Sequence, residues 1–232
     1  MRKKSKQNPG YAHQGFENDR LFKALCDHVA GLDCQGCDVD GEVQRDPRDT
    51  TNPEIHYGII ASGNTLVEDA AMRDQIFADL GEDCICVEME AAGLMNHFPC
   101  LVIRGICDYA DSHKNDRWQR YASATAAAYT KELLEYVPGV EVQETKRALE
   151  VLQSAPCDSL RPMATPNALD SPDSYTIAWI AALPIERAAA EAMLDEEHAA
   201  PTGFTRHQTN TNVYTSGRMG EHNIVIASLA LS

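Results

Sequence analysis

The sequence predicts an α/β fold, in which a layered sheet of parallel strands is flanked by helices. From Ile55 onward, short apolar runs typical of buried strands alternate with segments of helical spacing. Hydrophobic residues make up 44% of the 232 residues, which is enough to build a core. After a break in composition, the same alternation returns near the end of the chain. We therefore expect strands and helices in two separate stretches.

The first stretch predicts three strands and three helices in alternation. Met72, Ile76 and Leu80 lie four residues apart and would form one apolar helix face, and Thr65 with Glu68 fits a capping box. The last helix is expected to stop before Pro138. The predicted strands cover 55–62, 84–87 and 100–107, and the predicted helices cover 67–80, 88–97 and 117–136.

The rest of the chain differs in amino-acid composition. Residues 1–54 are polar and rich in turn-forming residues, which predicts a loop-dominated segment with a helical turn or two. Residues 139–173 have the composition of a linker, apart from one predicted helix at 146–152. The second stretch predicts a strand at 175–183, typical of a central position, then a helix with Pro184 in its first turn. A hairpin is expected to follow, with strands at 212–216 and 223–229 joined through 217–221.

Charge and hydropathy exclude several function classes. The chain has 35 acidic and 20 basic residues, a formal net charge of −15, which disfavours nucleic acid and anionic membranes as partners. Apolar runs fall short of the roughly 18 residues of a membrane span, and the basic start Met1 to Lys6 precedes polar residues instead of a signal-peptide core. We therefore expect a cytoplasmic protein without membrane or nucleic-acid partners.

The cysteines allow two interpretations. Four of the eight lie in strand-like apolar runs, where a reduced cysteine behaves as a small hydrophobe. Cys26, His28, Cys34 and Cys37 offer four potential zinc ligands, but a single CxxC pair with irregular companions is a weak zinc signal. An ordinary reduced loop is the favoured interpretation, so the sequence predicts no metal site.

Acidic residues follow three of the predicted strands. Glu88 and Glu90 end the second strand, Asp108 ends the third, and Glu186 follows the strand at 175–183. The carboxyl ends of parallel strands form the edge where open α/β sheets bind ligands. Each acid taken alone is also typical of a first helical turn, where the helix dipole favours negative charge, or of a solvated surface.

Three motifs around these acids favour the functional interpretation. The strings YGIIASGNTLV at 57–67, CVEMEAAGLM at 86–95 and LVIRGICDYAD at 101–111 together resemble the methylthioadenosine/S-adenosylhomocysteine nucleosidases and the purine and uridine phosphorylases. The string YTIAWIAALPIERAAAEAML at 175–194 resembles the opening of the same domain in fungal proteins. The resemblance implies a three-layer phosphorylase/nucleosidase-like α/β sheet that is incomplete.

The order of these motifs is inverted relative to the family. Residues 1–138 resemble the C-terminal part of such a domain, 139–173 a linker, and 174–232 the N-terminal part of a second or permuted domain. The central strands between the two pieces have no counterpart here. A tandem array explains this order better than a permuted domain, because a permuted domain needs the missing strands to close its sheet.

The resemblance implies a role for each of several site residues and implies that the reaction needs no cofactor. Asp108 would be the general acid at the purine N7, and Glu90 would hold the ribose 2′- and 3′-hydroxyls, with Met89 packing against the sugar. Glu88 is expected to be structural. Cys107 stands where nucleosidases often carry serine, so a weaker hydrogen bond is expected to orient Asp108. The other predicted substrate-binding residues are Ser62, and Leu66 and Val67 through their backbone groups.

Glu186 distinguishes two reactions. Phosphorylases of the family carry a phosphate-binding arginine at the matching place, whereas nucleosidases carry a glutamate that activates water, so Glu186 favours hydrolysis of purine nucleosides. Arg187, one residue later, is expected to face another side of the helix. Two alternatives stay open, a phosphate-dependent phosphorylase and a non-catalytic nucleoside-sensing or oligomerisation module. Family members commonly pair, so a homodimer is also expected.

Overall fold

The computed structural model describes residues 9–81, 83–95, 100–139, 174–201 and 212–228, which belong to two compact units. The first unit is Met1–Ala126 and the second is Ala127–Ser232. Both contain helices and strands, which confirms the α/β prediction. The predicted linker, with its helix at 146–152, lies outside the described residues apart from Gly139, so the predicted domain boundaries stay predictions.

The first unit contains a parallel pair of strands. Strand β1 (Ile59–Ser62) pairs with β2 (Cys84–Glu88), and Ile59 lies opposite Cys84. The predicted first strand forms only from residue 59, because β2 begins at Cys84 and offers no partner to 55–58. The register shifts once after Ile59, so that Ser62 lies opposite Glu88 at the carboxyl end of both strands.

Two helices follow these strands. Helix α1 (Ala70–Leu80) starts later than predicted, because the Asp69 carboxylate caps it by accepting a hydrogen bond from the Met72 N–H at 2.8 Å. The predicted capping box of Thr65 and Glu68 is therefore wrong. Helix α2 (Ala91–Met95) follows β2 and lies within the predicted 88–97 helix, whose last two residues are outside the described part of the chain.

The predicted third strand at 100–107 is wrong, because this segment has no strand structure. It lies instead against helix α3 (Gln119–Leu134), the predicted 117–136 helix. The approach is so close that a Cβ atom on Gly105 would lie 2.1 Å from the Ala122 carbonyl oxygen. The segment therefore meets a helix at Gly105 and does not extend the β1–β2 sheet.

The N-terminal segment is loop-dominated, as predicted. It contains short 3₁₀ turns at Pro9–Tyr11, Phe16–Asn18 and Val39–Gly41. Its anchor is Phe22, which is fully buried and forms an isolated antiparallel bridge with Glu42. The segment therefore contributes one large core residue despite its polar composition.

The second unit contains a four-stranded sheet. Strand β3 (Ile177–Ala181) precedes helix α4 (Pro184–Glu191), followed by β4 (Glu196–His198), β5 (Val213–Met219) and β6 (His222–Ser228). The strand order is β3-β6-β5-β4, with β3 parallel to β6 and the other pairs antiparallel. The predicted hairpin is confirmed with a tighter turn through Gly220, whose φ of 57° suits glycine. The short charged strand β4 was not predicted.

Strand β3 differs from its predicted central position. Among the described strands it pairs only with β6 and ends the sheet, so that Ile180 is exposed. The core of this unit lies where α4 packs on the sheet. It consists of Ala190, Met219, Ile224 and Ile226.

The end of helix α3 packs on this core. Leu134 contacts the apolar cluster, and the Lys131 ammonium donates to the Met193 carbonyl at 2.7 Å and pairs with Asp195. Buried His222 lies with its Nε2 2.8 Å from the Val137 carbonyl oxygen. Within the described ranges, no helix combines the length and apolar character needed to cross a membrane.

Candidate active site

The carboxyl ends of β1 and β2 form the structural centre of the candidate site in the first unit. Ser62 and Glu88 are the last residues of the two strands and lie opposite each other. The Gly63 N–H donates to the Glu88 carbonyl at 3.2 Å, so the ladder continues one residue beyond β1. The next residues of both strands turn away at the edge where parallel sheets bind ligands.

Glu88 caps the start of helix α2. Its carboxylate is 5% exposed and accepts hydrogen bonds from the N–H groups of Glu90 at 2.8 Å and Ala91 at 2.9 Å. Burial alone would raise the pKa of Glu88, but hydrogen bonds from Ser62 and from these backbone groups outweigh it and hold the pKa below its ordinary value. The expected structural role of Glu88 is confirmed.

Ser62 belongs to the same cap. Its Oγ accepts a hydrogen bond from the Ala92 N–H at 2.8 Å and also bonds to Glu88. The residue is exposed at the end of β1. Its hydroxyl therefore links β1 to α2, and this exposed end is where substrate binding was predicted.

Met89 and Glu90 are exposed beside the buried cap, and the Glu90 side chain also hydrogen-bonds to Glu88. Met89 is 41% exposed, and the Glu90 carboxylate lies 3.4 Å from an Arg104 guanidinium nitrogen. The Glu90 side chain also accepts a hydrogen bond from the Met89 N–H at 3.2 Å. Two acids two residues apart thus divide into a buried capping group and an exposed carboxylate beside a cation.

Leu66 and Val67 lie in the loop between β1 and α1. The Val67 side chain is buried, whereas Leu66 is 52% exposed. The loop ends at Asp69, which caps α1. Val67 therefore contributes to the core with its side chain, and the predicted contacts to a purine base concern the backbone of this loop.

Asp108 follows the 100–107 segment and is held through both carboxylate oxygens. Oδ1 accepts a hydrogen bond from the Ala110 N–H at 2.9 Å, and the Cys107 thiol lies 3.3 Å from Oδ2. Burial, followed by the neighbouring Asp108 charge, raises the pKa of Cys107 to about 12. The thiol therefore stays protonated and serves as the donor, in the place where the family often has a serine hydroxyl.

The loop after Asp108 is fixed by residues that sequence reasoning missed. The Tyr109 hydroxyl donates to Asp19 at 2.6 Å and accepts from Arg45 at 2.5 Å. Arg73, on helix α1, donates to the Tyr109 carbonyl at 2.9 Å. Burial and the hydrogen bond to Asp19 raise the pKa of Tyr109 to about 12. These contacts join groups up to 90 residues apart, and no local pattern in the sequence marks them.

Glu186 lies in the second unit, in the first turn of α4. Its Oε2 accepts a hydrogen bond from the Leu183 N–H at 3.1 Å, which is half of a capping box. Arg187 pairs along the helix with Glu191 at 3.5 Å, and Glu191 accepts a hydrogen bond from Thr215 at 2.6 Å. The other predicted site residues, Ser62, Leu66, Val67, Met89, Glu90 and Asp108, all belong to the first unit.

Comparison with known proteins identifies the segment that carries most of this site. Residues 25–135 match the family model described as the phosphorylase superfamily. These residues belong to the phosphorylase superfamily. The match covers β1, β2 and the Asp108 loop, which confirms the family predicted from the three motifs. It supports nucleoside cleavage as the general class of chemistry for this superfamily segment.

Two relatives of this phosphorylase superfamily segment are informative. A nucleotide-binding leucine-rich repeat (NLR)-like protein of Hyaloscypha variabilis is 54% identical over 103 residues, which is 44% of this chain and 10% of the relative. The ATP nucleosidase Cap17 of Escherichia coli is 37% identical over 87 residues, 35% of this chain and 17% of the relative. The chain thus matches a small part of two much longer proteins. No solved structure matches it.

Proposed function

We propose that the phosphorylase superfamily segment is part of a purine nucleosidase, which hydrolyses the N-glycosidic bond of a purine nucleoside. The observation that carries the proposal lies at the end of β2. There the Glu88 carboxylate caps helix α2, whereas the Glu90 carboxylate is exposed and can contact a ligand. The match to a relative named as an ATP nucleosidase supports both the purine base and a hydrolytic reaction.

Asp108 is the proposed general acid. Cleavage passes through an oxocarbenium-like state, and the departing purine needs a proton. The Ala110 N–H at Oδ1 fixes the orientation of the carboxyl group, and a protonated oxygen cannot accept that bond as well as an ionised one. Within the described residues, Oδ2 has a hydrogen-bond contact only with the weakly polar Cys107 thiol. We therefore assign the transferred proton to Oδ2.

Glu90 is the proposed ribose ligand. A carboxylate has two acceptor oxygens, which suits a pair of neighbouring hydroxyl donors. Arg104 lies 3.4 Å from one of its oxygens, which places a cation beside the carboxylate. Met89 beside it presents an adaptable apolar surface for a sugar face.

Hydrolysis is preferred to phosphorolysis on the evidence of α4. Glu186 is the proposed water-activating base, and a carboxylate repels a phosphate dianion. Arg187, the nearby cation that a phosphate would require, is already paired with Glu191. Both observations concern the second unit alone. The role of Glu186 is therefore tested by a separate variant, Glu186→Gln.

A non-catalytic nucleoside-sensing module is the second candidate. The NLR-like relative, at 54% identity, favours it, because the matched segment makes up only a tenth of that protein. In such a module, Glu90 and the Asp108 loop would bind a nucleoside without cleaving it.

The test is base release by the full chain. Adenosine or ATP is incubated in phosphate-free buffer, and free adenine and the sugar product are separated by chromatography. Asp108→Asn, Glu90→Gln and Glu186→Gln are each expected to lower the rate, with Asp108→Asn losing about 10²- to 10⁴-fold. Asp79→Asn is the matched control, because Asp79 is an exposed α1 acid bonded to Gln75.

Each outcome separates the candidates. Release of adenine only in the presence of phosphate, with ribose 1-phosphate as co-product, identifies a phosphorylase and refutes Glu186 as the base. Binding of adenosine in calorimetry without any release of adenine identifies a sensing module.

A further inference from the structure

A cluster of soft metal ligands lies in the N-terminal loop of the first unit. The ligand atoms of His28, Cys34 and Cys37 all lie within 4.8 Å of one another. Cys37 is buried, the other two residues are half-buried, and both cysteines are free thiols. Thiolate and imidazole are the ligands that zinc prefers in structural sites.

The spacing fits a tetrahedral ion after a small adjustment. With Zn–S of about 2.3 Å and Zn–N of about 2.0 to 2.1 Å, neighbouring ligand atoms in a tetrahedron lie about 3.3 to 3.8 Å apart. The three ligand atoms, which all lie within 4.8 Å of one another, are therefore close to this spacing. The three residues thus provide three of four ligands with little movement of the loop.

His113 provides an independent observation. Its ring is buried and stacks on Phe22 with centroids 3.9 Å apart, and its centroid lies 5.3 Å from that of His28. Its Nε2 is buried and has no hydrogen-bond partner within the described part of the chain. Its backbone carbonyl contacts the Cys34 sulfur at 3.4 Å, so the backbone of His113 borders the cluster, and its ring nitrogens lie outside the group of three ligand atoms. A buried nitrogen without a partner is costly, and a metal bond would satisfy it.

The other nitrogen of His113 faces a carboxylate. Nδ1 lies 3.8 Å from buried Asp111 and 3.5 Å from the Ser112 hydroxyl. A proton on Nδ1, donated to the Ser112 hydroxyl, leaves the Nε2 lone pair free. Metal-binding histidines commonly hydrogen-bond through their second ring nitrogen, which orients the ring and fixes the tautomer.

Cys26, a candidate ligand in the sequence, is outside the cluster. Its sulfur packs against Gly41, where an added Cβ would lie 2.5 Å away. The loop that holds the other cysteines is shaped by Arg20, whose guanidinium donates to the carbonyls of Cys34 and Cys37. The structure therefore brings together three members of the sequence-derived set and leaves Cys26 apart.

We propose that His28, Cys34, Cys37 and His113 bind a structural zinc ion. Binding releases the two thiol protons, and two thiolates neutralise the charge of Zn²⁺, which suits a partly buried site. The ion would join the N-terminal loop to the loop that follows Asp108. This inference is independent of the proposed function, because it concerns metal content and not cleavage.

The test measures metal in the full chain. The protein is stripped with a chelator, dialysed with zinc and analysed by inductively coupled plasma mass spectrometry, which should find one zinc ion per chain. Replacement of zinc by cobalt should give the visible bands of a tetrahedral ion and a thiolate-to-cobalt charge-transfer band that Cys34→Ser and Cys37→Ser each weaken. The spectrum of the unmodified chain reports the ligand set even if a variant fails to fold.

Matched variants test each assignment. His28→Ala and His113→Phe should each weaken zinc affinity by more than the roughly 10- to 100-fold typical of a lost outer-shell partner. The phenylalanine retains the ring on Phe22, so its effect reports the lost nitrogen. Cys26→Ser is the control and should bind zinc normally. Absence of stoichiometric zinc, full affinity in His113→Phe, or a Cys26→Ser loss equal to that of Cys34→Ser would overturn the proposal.

Discussion

Replacing Glu88 by glutamine should weaken the junction between β2 and α2 without changing its shape. One carboxylate oxygen accepts two backbone hydrogen bonds, at 2.8 Å from Glu90 and 2.9 Å from Ala91. A hydrogen bond to a charged group contributes about 1.5 to 3 kcal/mol, against about 0.5 to 1.5 kcal/mol for a neutral one. The buried position prevents solvent screening. Because the two bonds share one oxygen and do not add fully, we expect a loss of about 1 to 2 kcal/mol.

Hydrogen exchange at the Glu90 and Ala91 amides measures this loss directly. A change of 1 to 2 kcal/mol corresponds to roughly 5- to 30-fold faster local opening. Asp79→Asn is the control, since Asp79 is an exposed α1 acid bonded to Gln75 and surface substitutions usually change stability by less than about 0.5 kcal/mol. Equal exchange rates in Glu88→Gln and the unmodified chain at neutral pH would refute the capping role.

The pH dependence gives a second check on Glu88. Its folded-state pKa is lower than its unfolded value, so its stabilisation is present above the unfolded pKa and is lost as pH falls through the folded pKa. The difference between the unmodified chain and Glu88→Gln should therefore vanish in acid. A difference that persists in strong acid would show that the charge is not its cause.

Three further predictions concern the rest of the chain. Tyr109→Phe should destabilise the first unit by about 1 to 2 kcal/mol in urea unfolding, because it removes the donor to Asp19. Because folding raises the pKa of Tyr109 from its ordinary value of 10 to about 12, its hydroxyl stabilises the fold fully below pH 10 and loses this effect as the pH rises through 12. The stability difference between Tyr109→Phe and the unmodified chain should therefore disappear as the pH approaches 12. Cys107, with a pKa of about 12, should resist iodoacetamide at pH 8, and peptide mass spectrometry showing it among the first cysteines alkylated would contradict this. Limited proteolysis should cut first within 140–173, as the linker composition predicts, and early cleavage within β2 would count against the sheet.

The elements predicted correctly are those with local causes. Helix α4 follows from Pro184 and its apolar spacing, and the hairpin of β5 and β6 follows from alternation around Gly220. The strand prediction at 100–107 failed because an apolar run fits a strand and an irregular segment packed against a helix equally well. Only the approach of Gly105 to Ala122, a contact between distant residues, decides between them.

In the candidate site, too, the features with local causes were predictable and those with distant partners were not. The contrast between Glu88 and Glu90 was predictable, because residues two apart at a helix start face different sides. His113 and Arg73 were missed because their roles depend on partners far along the chain. The sequence set that included Cys26 was drawn from neighbouring residues, whereas the structure brings His113 to Cys34 across 79 positions.

The N-terminal segment supports the Asp108 loop through contacts that are all long-range. The Trp118 indole donates to the Asn18 carbonyl at 3.0 Å, Tyr109 donates to Asp19, and Cys34 contacts His113. Each contact joins a residue before position 45 to one between 108 and 118, so the polar segment and the loop hold each other in place. A segment with one large buried residue is ordered mainly by such partners, since its own apolar area is too small to offset the entropy of ordering it. The proposed zinc ion would add a fourth link at the place where hydrogen bonds are weakest, between a thiol and a carbonyl oxygen. On this reasoning, metal removal should increase hydrogen exchange at Ala110 and His113 before it affects the amides of β1 and β2.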